Sequence, residues 1–253
     1  MNKVDPPPLA VKGGRADHDH GKDKSMRLGA TVYQHMCVFC HGEDGNGGGK
    51  AMSYLYPWPR DFRKGIFKYR STPSGSLPRD EDIYRAIKKG IAGSAMPGWE
   101  SALSEDEIHA VVLYIKKFSN RFDREKPKTP IALDLSLLAS SGSVENGKKI
   151  YKEMRCARCH GTDLKGEGPI ADQLYDIWDH RMFVYDLTNP NTYKWGFENK
   201  DIFMTLTTGV DGTPMKAYSH LMDEERWDLA AYVKSEIESE NLQIAEFETD
   251  LHP

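Results

Sequence analysis

All four cysteines of the chain fall in two five-residue runs, Cys37-Val38-Phe39-Cys40-His41 and Cys156-Ala157-Arg158-Cys159-His160. C-x-x-C-H is the spacing of covalent haem attachment. Two thiols three positions apart on one helical turn reach the two vinyl carbons of a porphyrin, and the next residue, a histidine, lies under the iron. A single run could be chance or a redox dithiol. Two runs with no cysteine left over predict two covalently bound haem c groups. They also constrain the fold, because each core must close around a flat apolar group.

The second constraint is a repeat. The two runs start 119 residues apart, and Met96 and Met215 are also 119 apart, so each motif histidine is followed 55 residues later by a methionine. The contexts agree: Gly90-Ile91-Ala92-Gly93-Ser94-Ala95-Met96-Pro97-Gly98-Trp99 against Gly209-Val210-Asp211-Gly212-Thr213-Pro214-Met215-Lys216-Ala217-Tyr218. Self-similarity at a fixed spacing marks a duplicated unit.

A chain of 253 residues accommodates two such units. No run approaches the ~20 apolar residues of a membrane span. Met1 to Ala10 is polar and Pro-rich, unlike a secretory signal. Haem c is attached outside the cytoplasm in bacteria. The expected location is therefore the periplasm or the extracytoplasmic face of the membrane, with a signal or N-terminal membrane anchor removed. Residues 26–125 carry 15 Lys+Arg against 12 Asp+Glu, net +3, whereas residues 143–253 carry 12 against 21, net −9. The first half has a basic run, Arg60, Arg63, Lys64, Lys68 and Arg70, and the second ends in Glu236, Glu238 and Glu240. Such asymmetry can orient protein partners, or be no more than two solvated faces. No basic stripe with stacking aromatics beyond that run suggests nucleic acid.

The pattern predicts helices and no strand-rich region. Residues 1–24, with Pro6-Pro7-Pro8 and Gly13-Gly14, read as a flexible lead, in which His18 and His20 are solvated. A first helix is expected from about Ser25 into Cys37, a loop at Gly45 to Gly49, and an aromatic, Pro-rich segment from Tyr54 to Arg70 suited to covering a haem edge. A helix over Asp80 to Lys89 precedes the Met96 loop. Ser104 and Glu107 form a capping box, and Ile108, Val111, Val112 and Ile115 give an apolar stripe. The domains are expected at 25–120 and 143–253, the latter with an acidic C-terminal tail, joined by a Pro-containing linker over 121–142. In the second domain, Asp201 to Thr208 and Asp223 to Ile237 are helices. Gly29-x-x-x-Tyr33 and Gly147-x-x-x-Tyr151 place a small residue where the first helix can cross the last closely.

The chain resembles class I cytochrome c domains arranged in tandem, as in dihaem cytochromes c of bacterial respiratory chains. The resemblance covers about residues 25–120 and 143–240. It implies an all-α fold of two small helical domains, each wrapped around a haem. It implies thioethers at Cys37, Cys40, Cys156 and Cys159, proximal ligands at His41 and His160, and distal ligands at Met96 and Met215. Trp99 and Tyr218, at equivalent positions, would cover the haem or bond its propionates. Pro59-Arg60-Asp61-Phe62 also resembles a segment of cytochromes that serve molybdenum oxidoreductases. The family often has a proline whose carbonyl accepts the proximal histidine's ring N–H. Pro169 fits this in the second domain, whereas the first has Lys50.

With imidazole and thioether on each iron, no open site remains for substrate. The implied role is a carrier of single electrons between redox proteins, or an electron-transfer subunit of a membrane or periplasmic oxidoreductase complex. The alternative is a dihaem cytochrome c peroxidase-like enzyme with one haem that opens a coordination position. Met36, Met52, Met154, Met182, Met204 and Met222 read as packing residues. His35, His109, His180 and His220 are the other candidate ligands.

Overall fold

The computed structural model describes residues 16–134 and 142–251. Helix α1, Ala16–Val32, runs into a π-helical turn, Tyr33–Cys37, and then into α2, Val38–His41. After a long irregular segment come α3, Asp80–Lys89, and α4, Glu105–Lys116, with a short α5 at Arg121–Arg124. The order then repeats as α6, Val144–Glu153, α7, Ala157–His160, α8, Asn199–Thr208, and α9, Asp223–Leu251. Among the described residues the only extended pairing is one isolated bridge, Tyr175 to Arg181. The fold is all-α, as expected.

Helix α1 starts at Ala16, nine residues before the expected Ser25, so residues 16–24 of the supposed lead are helical. These residues offer no apolar stripe. Once the packed end of α1 is fixed on α4, each added residue gains a hydrogen bond without a new nucleus. The same propagation carries α9 beyond Ile237 to Leu251. Pro6-Pro7-Pro8, Gly13-Gly14 and the side chains of His18 and His20 lie outside what is described.

In each domain the first helix crosses the last. A Cβ on Gly29 would lie 2.1 Å from the Ala110 carbonyl oxygen, and one on Gly147 would lie 2.0 Å from that of Asp228. Only glycine lets these backbones touch. Four residues on, buried Tyr33 and Tyr151 donate to the carbonyls of Gly42 at 2.8 Å and Gly161 at 2.7 Å. The crossing thereby holds the chain that leaves each haem motif. The stripe of α4, Ile108, Val111, Val112 and Ile115, is buried against Val32, Phe62, Ile83 and Ile87. In α9, Trp227, Ala230, Val233 and Ile237 pack on Ile150, Leu164, Phe203 and Leu206. The capping box forms: the Glu107 carboxylate accepts from Ser104 N at 2.8 Å, and Ser104 Oγ accepts from Glu107 N at 3.3 Å.

The duplication is not rigid. The glycine–tyrosine pairs are 118 residues apart and the haem motifs 119, so the second domain has one extra residue before its first cysteine. The first domain spans this point with its π turn. The second uses Arg155 in the left-handed region, φ 58°, and closes with Cys156 N donating to the Tyr151 carbonyl at 3.0 Å. Phe62 N donates to the Gly45 carbonyl and Leu187 N to the Leu164 carbonyl, both at 2.8 Å. Phe62 therefore corresponds to Leu187, so the middle of the repeat is out of step with its ends.

The Tyr54–Arg70 segment packs against the second domain. Phe183 N donates to Tyr56 Oη at 2.8 Å, Trp58 lies 4.4 Å from His180, and the Arg60 guanidinium lies 4.2 Å above Trp178. Tyr69 stacks on Trp195 at 5.7 Å. The chain after α4 is fastened to the first domain: Arg121 donates to the carbonyls of Gly65 at 3.0 Å and Gly75 at 2.9 Å, and Ile131 N to that of Ser71 at 2.8 Å.

Candidate functional site

Between the domains lies one cavity of about 680 Å³. Cys37, Cys40, His41, Met96 and Trp99 line it from one side, and Cys156, Cys159, His160, Met215 and Tyr218 from the other. The fold thus brings all ten residues singled out in the sequence to one continuous space. Met36, Met52, Met182 and His180 also line it. Of the other candidates, His109 stacks on Tyr84 at 4.7 Å, His220 lies beside Tyr218 at 5.9 Å, and Met222 is exposed.

Glycine-rich loops hold both motifs in the same way. Gly47 N donates to the His41 carbonyl at 2.9 Å and Gly49 N to that of Cys40 at 3.1 Å. Gly166 N and Gly168 N do the same to His160 at 2.8 Å and Cys159 at 3.1 Å. All four cysteines are free. Burial pushes the Cys37 thiol up to about 12 and Cys156 to about 11, and raises Cys40 and Cys159. A redox dithiol needs a lowered thiol pKa, so these environments speak against that reading. Burial lowers His41 and His160 to about 4. Both imidazoles are therefore neutral at pH 7, the form that ligates a metal.

The surroundings of the two histidines differ. Phe62 stacks on the His41 ring at 4.6 Å, and His41 Nδ1 lies 3.2 Å from the Arg60 carbonyl. Packing of Phe62 on the imidazole brings its own backbone alongside, so the partner comes from this segment and not from position 50. His160 Nδ1 is buried without a hydrogen-bond partner. The Pro169 carbonyl, expected to fill that role, accepts from Gln173 Nε2 at 3.5 Å.

The methionine loops match bond for bond. Ile91 N donates to the Met96 carbonyl at 3.0 Å, and Val210 N to that of Met215 at 2.9 Å. Met96 N donates to Ser94 Oγ at 3.2 Å and Met215 N to Thr213 Oγ1 at 3.1 Å, while each hydroxyl donates back to the carbonyl of Ile91 or Val210 at 2.7 Å. The hydroxyl two residues before each methionine was visible in the aligned sequences, but its role was not. Trp99 packs on the first core. Tyr218 and Cys156 pack on the second core.

Two cations of the basic run, Arg60 and Lys68, line the cavity, a role the sequence did not show. Burial lowers Arg60 to about 10 and Lys68 to about 8. Among the described residues neither has an ion-pair partner within bonding distance. An apolar cavity edged by unpaired cations suits a flat apolar ligand bearing carboxylates, as a porphyrin with propionates does. Among the described residues no three His, Cys, Asp or Glu side chains converge on a bare ion. Each half instead offers two thiols, an imidazole and a thioether, a set that fits a covalently held haem.

Residues 24–115 match the family model "Cytochrome C oxidase, cbb3-type, subunit III", and residues 144–236 match "Cytochrome c". A chain of the Kuenenia stuttgartiensis reducing HAO-like protein complex superposes with a TM-score of 0.76 at 37% identity, covering 83% of this chain and 96% of that one. The chain belongs to the tandem dihaem c-type cytochromes. This cytochrome carries covalently bound haem c, to which both cysteine pairs are fitted. It is similar to the cbb3-type cytochrome c oxidase subunit CcoP of Helicobacter pylori (strain 52), 24% identical over 224 residues, which are 85% of this chain and 60% of the relative. It is also similar to subunit FixP of Sinorhizobium medicae (strain WSM419), 26% identical over 168 residues, 61% of this chain and 46% of the relative. The cytochrome thus spans about half the length of the curated relatives it matches. Among the described residues no helix is long and apolar enough to cross a membrane.

Proposed function

We propose that this cytochrome passes single electrons between respiratory redox partners, and that His41 and Met96 would hold the iron of one haem and His160 and Met215 that of the other. Haem c supplies one-electron iron chemistry when bound. The buried, neutral imidazoles present their ring nitrogens, and the Ser94 and Thr213 hydroxyls pin the backbone at each methionine. Imidazole and thioether together leave no position for substrate. The neutral thioethers and the apolar lining favour the less charged ferrous site, which raises the potential.

The observation that carries this reading is the single cavity edged by both motifs and both methionine loops. Haems held by the two motifs would share this apolar enclosure, where they would supply one-electron chemistry. CcoP and FixP are named as cbb3-type oxidase subunits, and the Kuenenia chain is part of a reducing HAO-like complex. By analogy this cytochrome serves an oxidoreductase complex, as carrier or subunit, on the extracytoplasmic side where haem c is attached.

The test is spectroscopic. The ferric protein is expected to be low-spin, with a thioether-to-iron charge-transfer band worth two haems. High-spin ferric haem after half-reduction, together with peroxide turnover, would overturn the proposal in favour of a peroxidase-like enzyme.

A further inference from the structure

We propose that each methionine loop is positioned by the opposite domain: Arg70, Ser74 and Gly75 of the first domain hold the loop that carries Met215, and Lys194 of the second holds the loop that carries Met96. The proposal rests on the methionine ligation put forward above and adds the residues that keep each thioether in place.

Asp211 lies four residues before Met215. Its Oδ1 accepts from Arg70 Nη2 at 2.9 Å and from Ser74 Oγ at 2.8 Å, and its Oδ2 accepts from Gly75 N at 2.8 Å. The Arg70 side chain is 0% exposed, so this ion pair is shielded from water and salt. Arg70 Nη2 also donates to the carbonyl of Thr208, the last residue of α8, at 2.9 Å. A cation at a helix C-terminus is favoured by the helix dipole. One guanidinium from the first domain therefore ties down both the end of α8 and the loop that follows it. The carbonyls of Phe67 and Pro73 accept the rest of its fork at 3.2 and 3.3 Å.

The other loop is held in the opposite sense. Lys194 Nζ donates to the carbonyl of Gly93, three residues before Met96, at 2.6 Å, and sits 4.2 Å above the Tyr185 ring. Gly93 is packed so closely on the second domain that a Cβ there would lie 2.7 Å from the Asn191 carbonyl oxygen. Four hydrogen bonds that the two loops share stay within the loop and shape the turn. A fifth, from Trp99 N to the Ile87 carbonyl at 3.0 Å and from Tyr218 N to that of Leu206 at 2.7 Å, ties the end of each loop to the preceding helix of its own domain. The tip of each loop, at Gly93 or Asp211, is anchored from across the domain interface, through different residues on the two sides. Partners beyond the metal ligands orient them, and losing one commonly lowers metal affinity.

The experiment uses the holoprotein with both haems attached. The wild-type ferric form must first show the charge-transfer band of two haems; its absence overturns the methionine reading and this proposal with it. Cyanide then serves as a probe that binds ferric iron when methionine leaves, in two kinetic phases assigned with Met96→Ala and Met215→Ala. Asp211→Asn is expected to speed the phase at the Met215 haem by about tenfold, the low end of what loss of such a partner costs. Ser74→Ala, which removes one hydrogen bond, should speed it by about threefold. Neither should change the phase at the Met96 haem. Lys194→Met should do the reverse. Asp211→Asn leaves Arg70 buried without its carboxylate and can disturb folding, so Ser74→Ala and Lys194→Met decide. Unchanged rates, or equal changes at both haems, in those two proteins with both haems bound would overturn the proposal.

Discussion

His41 and His160 are the same residue in the same motif, and their neighbours make them different ligands. A carbonyl acceptor on Nδ1 raises the basicity of a ligating imidazole. His41 has one, from Arg60 at 3.2 Å, and His160 has none. The more basic imidazole stabilises ferric iron. A potentiometric titration is therefore expected to resolve two one-electron steps, the lower belonging to the His41 haem. Met96→Ala assigns the steps. It should remove half of the thioether charge-transfer band and lower one potential only. A band that survives Met96→Ala intact would remove Met96 from the ligand set. None of the difference between the histidines was legible in the motif, because the acceptor lies 19 residues away and reaches the ring only through the stacking of Phe62.

Among the helices, the decisive feature is the crossing of first on last. With a Cβ at Gly29 placed 2.1 Å from the Ala110 carbonyl oxygen, Gly29→Ala must push α1 off α4. The expected cost is about 2–3 kcal/mol, at the upper end of overpacking, outweighing the helix propensity that alanine adds. Gly147→Ala should behave alike in the second domain. Chemical denaturation followed by helical circular dichroism checks both, and a stabilised Gly29→Ala would mean that the helices are not in contact there. Ser104→Ala, which removes the cap of α4, should cost about 1 kcal/mol in the same measurement. The sequence was informative at this scale. The α3 bounds, the α4 stripe and cap, and both glycine crossings lie where the pattern put them, since each rests on local periodicity or on the repeat. The start of α1 and the end of α9 were misplaced, because propagation from a packed segment leaves no apolar signature.

For the whole molecule, the two cysteine pairs require two haem additions in the mass of the denatured protein, one of them lost in a variant with Cys156→Ala and Cys159→Ala. A single addition to the native chain would contradict the duplication. The charges, +3 over residues 26–125 and −9 over 143–253, also act at this scale. Exposed charges change encounter rates and are screened beyond about 8–10 Å at physiological salt. Electron transfer with at least one small acidic or basic redox protein should slow steeply as ionic strength rises. Rates indifferent to salt with both would leave docking to apolar contacts such as the exposed Phe39 and Tyr54.

The sequence by itself determined the two haem motifs, the duplication, the all-α class and the ten residues that meet at the cavity. Covalent attachment and helical periodicity are local, and a repeat displays its own register. The tertiary structure alone decided how the halves face each other. Arg70, Lys194, Asp211 and the Arg60 carbonyl act across long sequence separations, and a single chain without its fold carries no record of such pairings. The shared cavity is likewise a product of packing. The aromatic segment at Tyr54–Arg70 reads as a cover for one haem, and only its burial against Trp178, His180 and Trp195 turns two separate pockets into one.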